Sequence, residues 1–545
     1  MTAIHRSGVQ SRFLTDREPH LGAVSHLLGL AGLLLAAATG WGQQIQLPAG
    51  VEQIPRISSK EVMERSAKLD RGVGRLPQKV STNSAEAQAF YDQGLAYLHS
   101  YVWVEAARSF HEALRRDPEL AMAELGLAKS YFNAEAMGDA FEHMKKAAVL
   151  AAKGKITAKE AKWIEIGQKQ WEAIFAAPPE SRRKLEEYRA AIDALIAMDP
   201  NDSHAWVMRG NAEEARATGR GQGGRVGSIA YYEAALYHDP SNWAANHYLI
   251  HSYEGLGQYE KSGENGAKYA AAVSGVPHAQ HMYAHVLPRL GKWQEALSQL
   301  GKADRLQREY FERGIPPVEE WHHGHNIHLM GSVQLRLGNE REAERLLKEA
   351  FDLEVRSLRD GRFTDPWLEY LLLRGRPEEA LRAARGAQQR PLALARFIGA
   401  VRAAEALLSL GRADEARREL EQAKTHLATF QKDVANHPMY PAQPRNWENS
   451  LLKPLEAQFA LLGPNPKEGE DALLKLADEY KEETGFDGWV TGLFRLEQLA
   501  GVAQRLGRNQ LARELLSRIQ RIDPSYVPKA SVAAAGGPVG NSARP

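Results

Sequence analysis

A 34-residue period constrains this 545-residue chain more than any other feature. Ala106, Phe110 and Ala113 are followed one period later by Ala140, Met144 and Ala147, and Gly257 is followed by Gly291. Small and aromatic residues recurring at fixed places describe one helical unit stacked on copies of itself, because a unit of that length cannot bury its apolar face alone. Small residues let packed segments approach closely, aromatics fill gaps between them, and prolines such as Pro118, Pro240 and Pro524 end helices. The frame continues through Gly338, Gly375, Gly411 and Gly507, with Ala343, Ala350, Ala380, Ala416, Ala423 and Ala512 in the helices that follow. A chain of this length exceeds one compact core, which also fits an array.

The segment FYDQGLAYLHSYVWVEAARSFHEALRRDP, with Gly94, Tyr97, Ala106, Phe110, Ala113 and Pro118, resembles a tetratricopeptide repeat (TPR). That resemblance implies an all-α solenoid, a right-handed superhelix of antiparallel helix pairs whose first helices line the concave surface. The expected organisation is a signal peptide or N-terminal anchor at 1–42, a linker at 43–83 with one helix near Lys60–Leu69, and N-terminal repeats at 84–240. Histidine-rich repeats at 241–352, C-terminal repeats at 353–526 and a disordered tail at 527–545 complete it. Longer inserts are expected at Thr218–Gly227, Ser298–Trp321 and Thr425–Trp447.

The histidines fall on the same frame. His278, His281 and His285 precede Gly291 by 13, 10 and 6 residues, His247 and His251 precede Gly257 by 10 and 6, and His325 and His328 precede Gly338 by 13 and 10. Residues three and four apart share one helix face, so each group is a stripe, and adjacent first helices should bring the stripes together. Asp365 and Glu369 hold the 10 and 6 places before Gly375, Glu405 holds the 6 place before Gly411, and His322 and His323 open the third histidine helix.

Neutral imidazoles bind zinc, copper, nickel or ferrous iron, and two at i and i+4 with a third from a neighbouring helix leave an open position on the ion. One site is expected from His247 and His251 with His281 or His285. A second is expected from His325 and His328 with His278, with Asp365 or Glu369 as a further ligand or an acceptor behind a ring. Glu254, His322, His323 and Glu405 complete the groove. The same stripes also fit a metal-free groove that grips a peptide or protein partner, a pH-responsive surface, or simple hydrogen bonding between repeats. NHYLIHSYEGLG, PHAQHMYAHVLPRLGKWQEA and HHGHNIHLMGSVQLRLG resemble exported bacterial TPR proteins with histidine-rich repeats, a group that names no reaction.

Composition narrows the rest. Lys and Arg total 69 against 68 Asp and Glu with no basic block, so no nucleic-acid surface is expected. The run Leu27–Ala38 followed by Gly40 and Gly42 reads as a cleaved leader, placing the protein in the periplasm or outside the cell, with a periplasm-facing membrane anchor as the alternative. No other stretch is long and apolar enough to span a bilayer. The absence of cysteine excludes disulfides, thiol nucleophiles, cysteine-held zinc and a lipidated N-terminal cysteine. GRGQGGRVG lacks the Lys-Ser/Thr ending of a phosphate loop and reads as a turn. Trp163, Ile164, Ile166 and Trp171 read as core, and Trp321, Trp367, Tyr440 and Trp447 as caps between repeats.

Overall fold

A computed structural model describes Leu47 and residues 56–527, apart from 219, 222–225, 355, 359, 436, 439–446 and 482–487. The expected leader, the tail beyond 527, Tyr440 and most of the glycine-rich turn lie outside the described residues. Among the described residues every regular element is helical. A short helix α1 (Lys60–Glu64) precedes the hairpins α2 (Ala85–His99) with α3 (Trp103–Arg116), α4 (Ala121–Asn133) with α5 (Met137–Ala152), α6 (Ala158–Phe175) with α7 (Glu180–Met198), and α8 (Ser203–Asn211) with α9 (Val226–His238). The histidine-bearing hairpins are α10 (Trp243–Gly255) with α11 (Tyr259–Ala272), α12 (Pro277–Val286) with α13 (Trp293–Glu312), and α14 (Trp321–Arg336) with α15 (Glu340–Asp352). They are followed by α16 (Asp365–Leu373) with α17 (Pro377–Ala387), α18 (Ala393–Ser409) with α19 (Ala413–Ala435), α20 (Lys453–Leu461) with α21 (Pro466–Lys481), and α22 (Gly488–Arg505) with α23 (Asn509–Ile522).

The local causes are those of the repeat. Gly94 lies against Phe110, where an added Cβ would come within 2.7 Å of the ring, so the first hairpin closes only on glycine. Gly291 turns the chain out of its helix at φ 71°, a left-handed conformation that costs a residue with a Cβ about 1–2 kcal/mol. Ala106, Phe110, Ala113, Ala140, Met144 and Ala147 are all buried at hairpin contacts, as are Trp163, Ile164, Ile166 and Trp171.

Much of the expected inserts is helix: most of Ser298–Trp321 lengthens α13 to 20 residues, and Thr425–Ala435 lengthens α19 to 23. Residues 56–83 of the expected linker are a strap packed on the repeats. Ile57, Val62, Met63, Val73, Leu76 and Val80 are buried in the N-terminal core. Its polar contacts reach far along the chain: Ile57 N donates to Ala134 O at 3.0 Å, Ser59 N to Glu319 Oε2 at 2.9 Å, Gly275 N to Gly72 O at 2.9 Å, and the indole N–H of Trp243 to Arg75 O at 3.0 Å.

The superhelix closes on itself. Trp103 of α3 stacks on Trp321 of α14 with ring centroids 5.1 Å apart, and the Trp321 indole N–H donates to Tyr101 O. At the other end, Leu493, Leu496, Leu511 and Leu515 pack in one cluster with Ala284, Leu300, Leu329 and Val333 of the histidine repeats. The middle of the solenoid is therefore enclosed by both ends.

One carboxyl in the strap contact sets a pH dependence. Asp92 Oδ1 accepts from Gln78 N at 3.1 Å and Gln88 Nε2 at 2.9 Å, and burial raises its pKa to about 6. A group whose pKa is higher folded than unfolded contributes its stability below the unfolded value and loses it as pH rises through the folded one. Asp92→Asn keeps the acceptor oxygen, so its urea midpoint is expected to exceed the wild type at pH 7, by on the order of 1 kcal/mol given partial exposure, and to match it at pH 4.

Candidate metal centre

Pro277 at the first turn and the left-handed Gly291 after it fix α12 between α10 and α14. Its histidines face both neighbours. His278 joins His247 and His251 of α10, and His281 and His285 join His325 of α14; within each triad one ring nitrogen per residue lies within 4.8 Å of the others. All six side chains are buried, at 5% exposure or less.

In the first triad His247 Nε2 is 3.2 Å from His251 Nε2 and 3.0 Å from His278 Nε2. His247 Nδ1 sits 2.7 Å from the carbonyl oxygen of His99, which can only accept, so Nδ1 carries the proton and Nε2 presents its lone pair. Nδ1 of His278 has no hydrogen-bond partner among the described residues, so its proton position follows from what occupies the centre. Tyr101 covers the triad, its ring centroid 4.7, 6.0 and 4.9 Å from those of His247, His251 and His278, and Tyr269 stacks on His247 at 4.8 Å.

The second triad is oriented in the same way. His285 Nδ1 meets Glu254 Oε1 at 2.7 Å with both groups buried. His281 Nδ1 meets Asn326 Oδ1 at 3.0 Å, and Asn326 Nδ2 donates to Leu300 O at 3.0 Å, which fixes the amide with its oxygen toward the ring. An acceptor behind Nδ1 sets the tautomer and aims Nε2 inward, the second shell usual for metal-bound histidine. Ring centroids lie 4.7 Å apart for His281 and His325, 5.6 Å for His281 and His285, and 5.9 Å for His285 and His325.

Burial also settles the charge. Desolvation lowers the His247 pKa to about 3, with the His99 carbonyl opposing, and lowers His278 well below the usual range, reinforced by His322, His247 and the neighbouring rings. His247 and His278 are therefore neutral at physiological pH, the state in which imidazole ligates.

The structure pairs the expected residues differently. His278, expected with His325 and His328, completes the α10 pair; His281 and His285, each offered as the third member of that pair, serve α14 instead. In both triads the rings at the 10 and 6 places of one repeat meet the ring at the 13 place of the next, His247 and His251 with His278, and His281 and His285 with His325. His328 stacks behind His325 at 5.2 Å, lies tilted against Phe363 at 5.5 Å, and is in neither triad.

Asp365 and Glu369, expected as a further ligand or an acceptor behind a ring, are in contact with a cation. The Arg402 guanidinium forks onto Asp365 at 2.6 and 2.9 Å and reaches Glu369 at 3.3 Å. Glu405 is bound at 2.8 Å by Arg402 and 3.0 Å by Arg495, with Gln458 and Gln498 donating to it; burial alone would raise its pKa, but the two cations hold it at about 2.

His322 lies between the triads, 4.3 Å from His278 and 6.3 Å from His281 by ring centroid, and its Nδ1 is 3.1 Å from Glu320 Oε1. His323 turns toward α13, with Gln307 Oε1 at 3.5 Å and Phe311 at 4.8 Å.

Sequence reading missed Tyr101, Asn326, Glu320 and Glu135. For two of them a signal exists. Tyr101 and Glu135 are one period apart and stand where the later repeats have their left-handed glycine, at φ 58° and 62°. A tyrosine and a glutamate held in that conformation are strained, and strain persists where the surroundings over-determine it. Tyr101 roofs the first triad, while Glu135 is buried against Ser357 and His437, with oxygens 3.3 and 3.7 Å from them. Glu320, whose pKa burial raises to about 8, caps α14 by accepting from His322 N at 3.2 Å.

No protein-family model and no curated protein matches the chain. Solved structures similar to it include a tetratricopeptide repeat protein from Parabacteroides merdae, 13% identical over 51% of this chain and 98% of that one, with a TM-score of 0.34. Yeast Tom70 is 12% identical over 81% and 90% with a TM-score of 0.35, and the TPR domain of P58(IPK) 11% identical over 83% and 96% with a TM-score of 0.22. The consecutive antiparallel hairpins, the 34-residue frame and the left-handed glycines after α10, α12, α14, α16, α18 and α22 give this chain the fold of a tetratricopeptide-repeat solenoid.

Proposed function

We propose that this chain is a metal-binding TPR protein with two adjacent three-histidine centres, His247/His251/His278 and His281/His285/His325, for zinc, copper or ferrous iron. The observation that carries this reading is the convergence of buried ring nitrogens with acceptors behind His247, His281 and His285. All-nitrogen ligation by neutral imidazole suits these ions over magnesium or calcium, and three protein ligands leave one position for a water or substrate. The chain's own residues hold His247, His281 and His285 in one tautomer, exclude bulk water through Tyr101, Trp103 and Trp321, and place His322 with Glu320 beside both centres as a proton relay. A peptide partner needs an open trough, whereas these rings are enclosed, which favours a resident ion over a grip on a polypeptide at this place. Export by the leader at 1–42 belongs to the same proposal and rests on the Leu27–Ala38 run.

Calorimetric titration of zinc or copper into chelator-treated, untagged protein tests the reading. Two equivalents bound with submicromolar affinity are expected; weak binding at several exposed histidines would contradict it. Tyr101→Gly relieves the left-handed strain yet removes the roof over the first triad. It is expected to weaken one equivalent 10- to 100-fold, the usual effect of disturbing a metal site's outer shell, and to leave the other unchanged.

A further inference from the structure

A cavity lies within the N-terminal repeats. First helices α2, α4, α6 and α8 enclose its volume of about 110 Å³, walled by Phe132, Trp163, Trp171 and Tyr248, with Lys129 and Arg220 in its lining. Neither cation forms an ion pair with a described residue. Lys129 Nζ lies 5.8 Å from the Trp163 ring centroid, and Arg220 is placed 4.8 Å over Trp103 with its Nε donating to Asn133 Oδ1 at 2.9 Å. Lys129 is half-buried, and desolvation alone lowers its pKa to about 8, with no carboxylate opposing the shift.

An ammonium kept in an aromatic chamber without a counter-charge is a destabilising feature that a bound anion removes. Asn133, Gln170, His99 and His204 are half-buried in the same lining, so the cavity sets polar groups beside a buried aromatic wall. Inorganic phosphate would meet that wall with unsatisfied oxygens; a carboxylate on an apolar body satisfies both halves. We propose that this cavity binds a short organic monocarboxylate, its carboxylate on Lys129 Nζ and its apolar body against Phe132, Trp163 and Trp171. The argument stands apart from the metal reading, since it uses none of the six histidines.

Calorimetry with hexanoate and its uncharged isostere hexanamide, on the full chain freed of metal and again after zinc loading, tests this. Hexanoate is expected to bind one-to-one with Kd on the order of 0.1 mM, a sound ligand efficiency for its size, and hexanamide at least about tenfold more weakly. Lys129→Met keeps the apolar stem and should bring hexanoate down to the hexanamide level. Equal affinity of the two ligands for the wild type, no hexanoate binding up to millimolar concentration, or unchanged hexanoate binding in Lys129→Met would overturn the proposal. The wild-type comparison decides even if the variant does not fold.

Discussion

Replacing Arg402 with methionine is expected to lower unfolding stability by about 3–5 kcal/mol, read as a shift in urea midpoint. Arg402 is fully buried and binds Asp365, Glu369 and Glu405 at once. Removing one partner of a buried pair leaves uncompensated charge, and here three carboxylates would lose the one guanidinium that binds all of them. Protonation relieves that repulsion, so the loss should shrink on going from pH 8 to pH 5, since Glu369 already has a pKa raised to about 7 by burial, with Arg402 opposing. Arg402→Lys keeps the charge but not the fork onto Asp365, and should fall between. A loss under 1 kcal/mol in the methionine variant would show that the carboxylates find other partners and that this cluster does not hold α16, α18 and α22 together.

The second large effect concerns the triads separately. His281→Ala with His285→Ala leaves His325 as the one member of its centre and is expected to abolish one metal equivalent while His247, His251 and His278 keep theirs. His247→Ala should do the reverse, because its Nε2 faces both other rings of its triad. An ion that binds only the folded state adds stability by mass action, about 4 kcal/mol at a thousandfold excess over Kd, so each variant should lose about half of the metal-induced rise in thermal midpoint. A rise that survives in both variants would place the ion elsewhere.

How far the sequence carried depends on the range of each interaction. The hairpins, their glycine stops and the histidine stripes are properties of one repeat or its neighbour, and the 34-residue frame displays them. The third histidine of each triad is not, because it comes from the next repeat's first helix, and no spacing within a single helix records how two such helices meet. His278 and His281 are three residues apart on one face and serve different centres for that reason. The acids Asp365, Glu369 and Glu405 continue the stripe by position, yet their chemistry is decided by Arg402, one turn before Glu405, a charge pattern visible in the sequence and not weighed there. Closure by the strap and by Trp103 on Trp321 joins residues more than 200 positions apart. It converts the expected open concave wall into a buried chamber and is invisible to any local pattern.

The measurement that bears most directly on the metal reading is anomalous diffraction from crystals of the untagged protein loaded with zinc or copper, collected on both sides of the metal edge. The account predicts two adjacent peaks, one among the Nε2 atoms of His247, His251 and His278 and one among the rings of His281, His285 and His325. Crystals that carry the ion only on exposed side chains, with both triads closed by hydrogen bonds between their own rings, would contradict it.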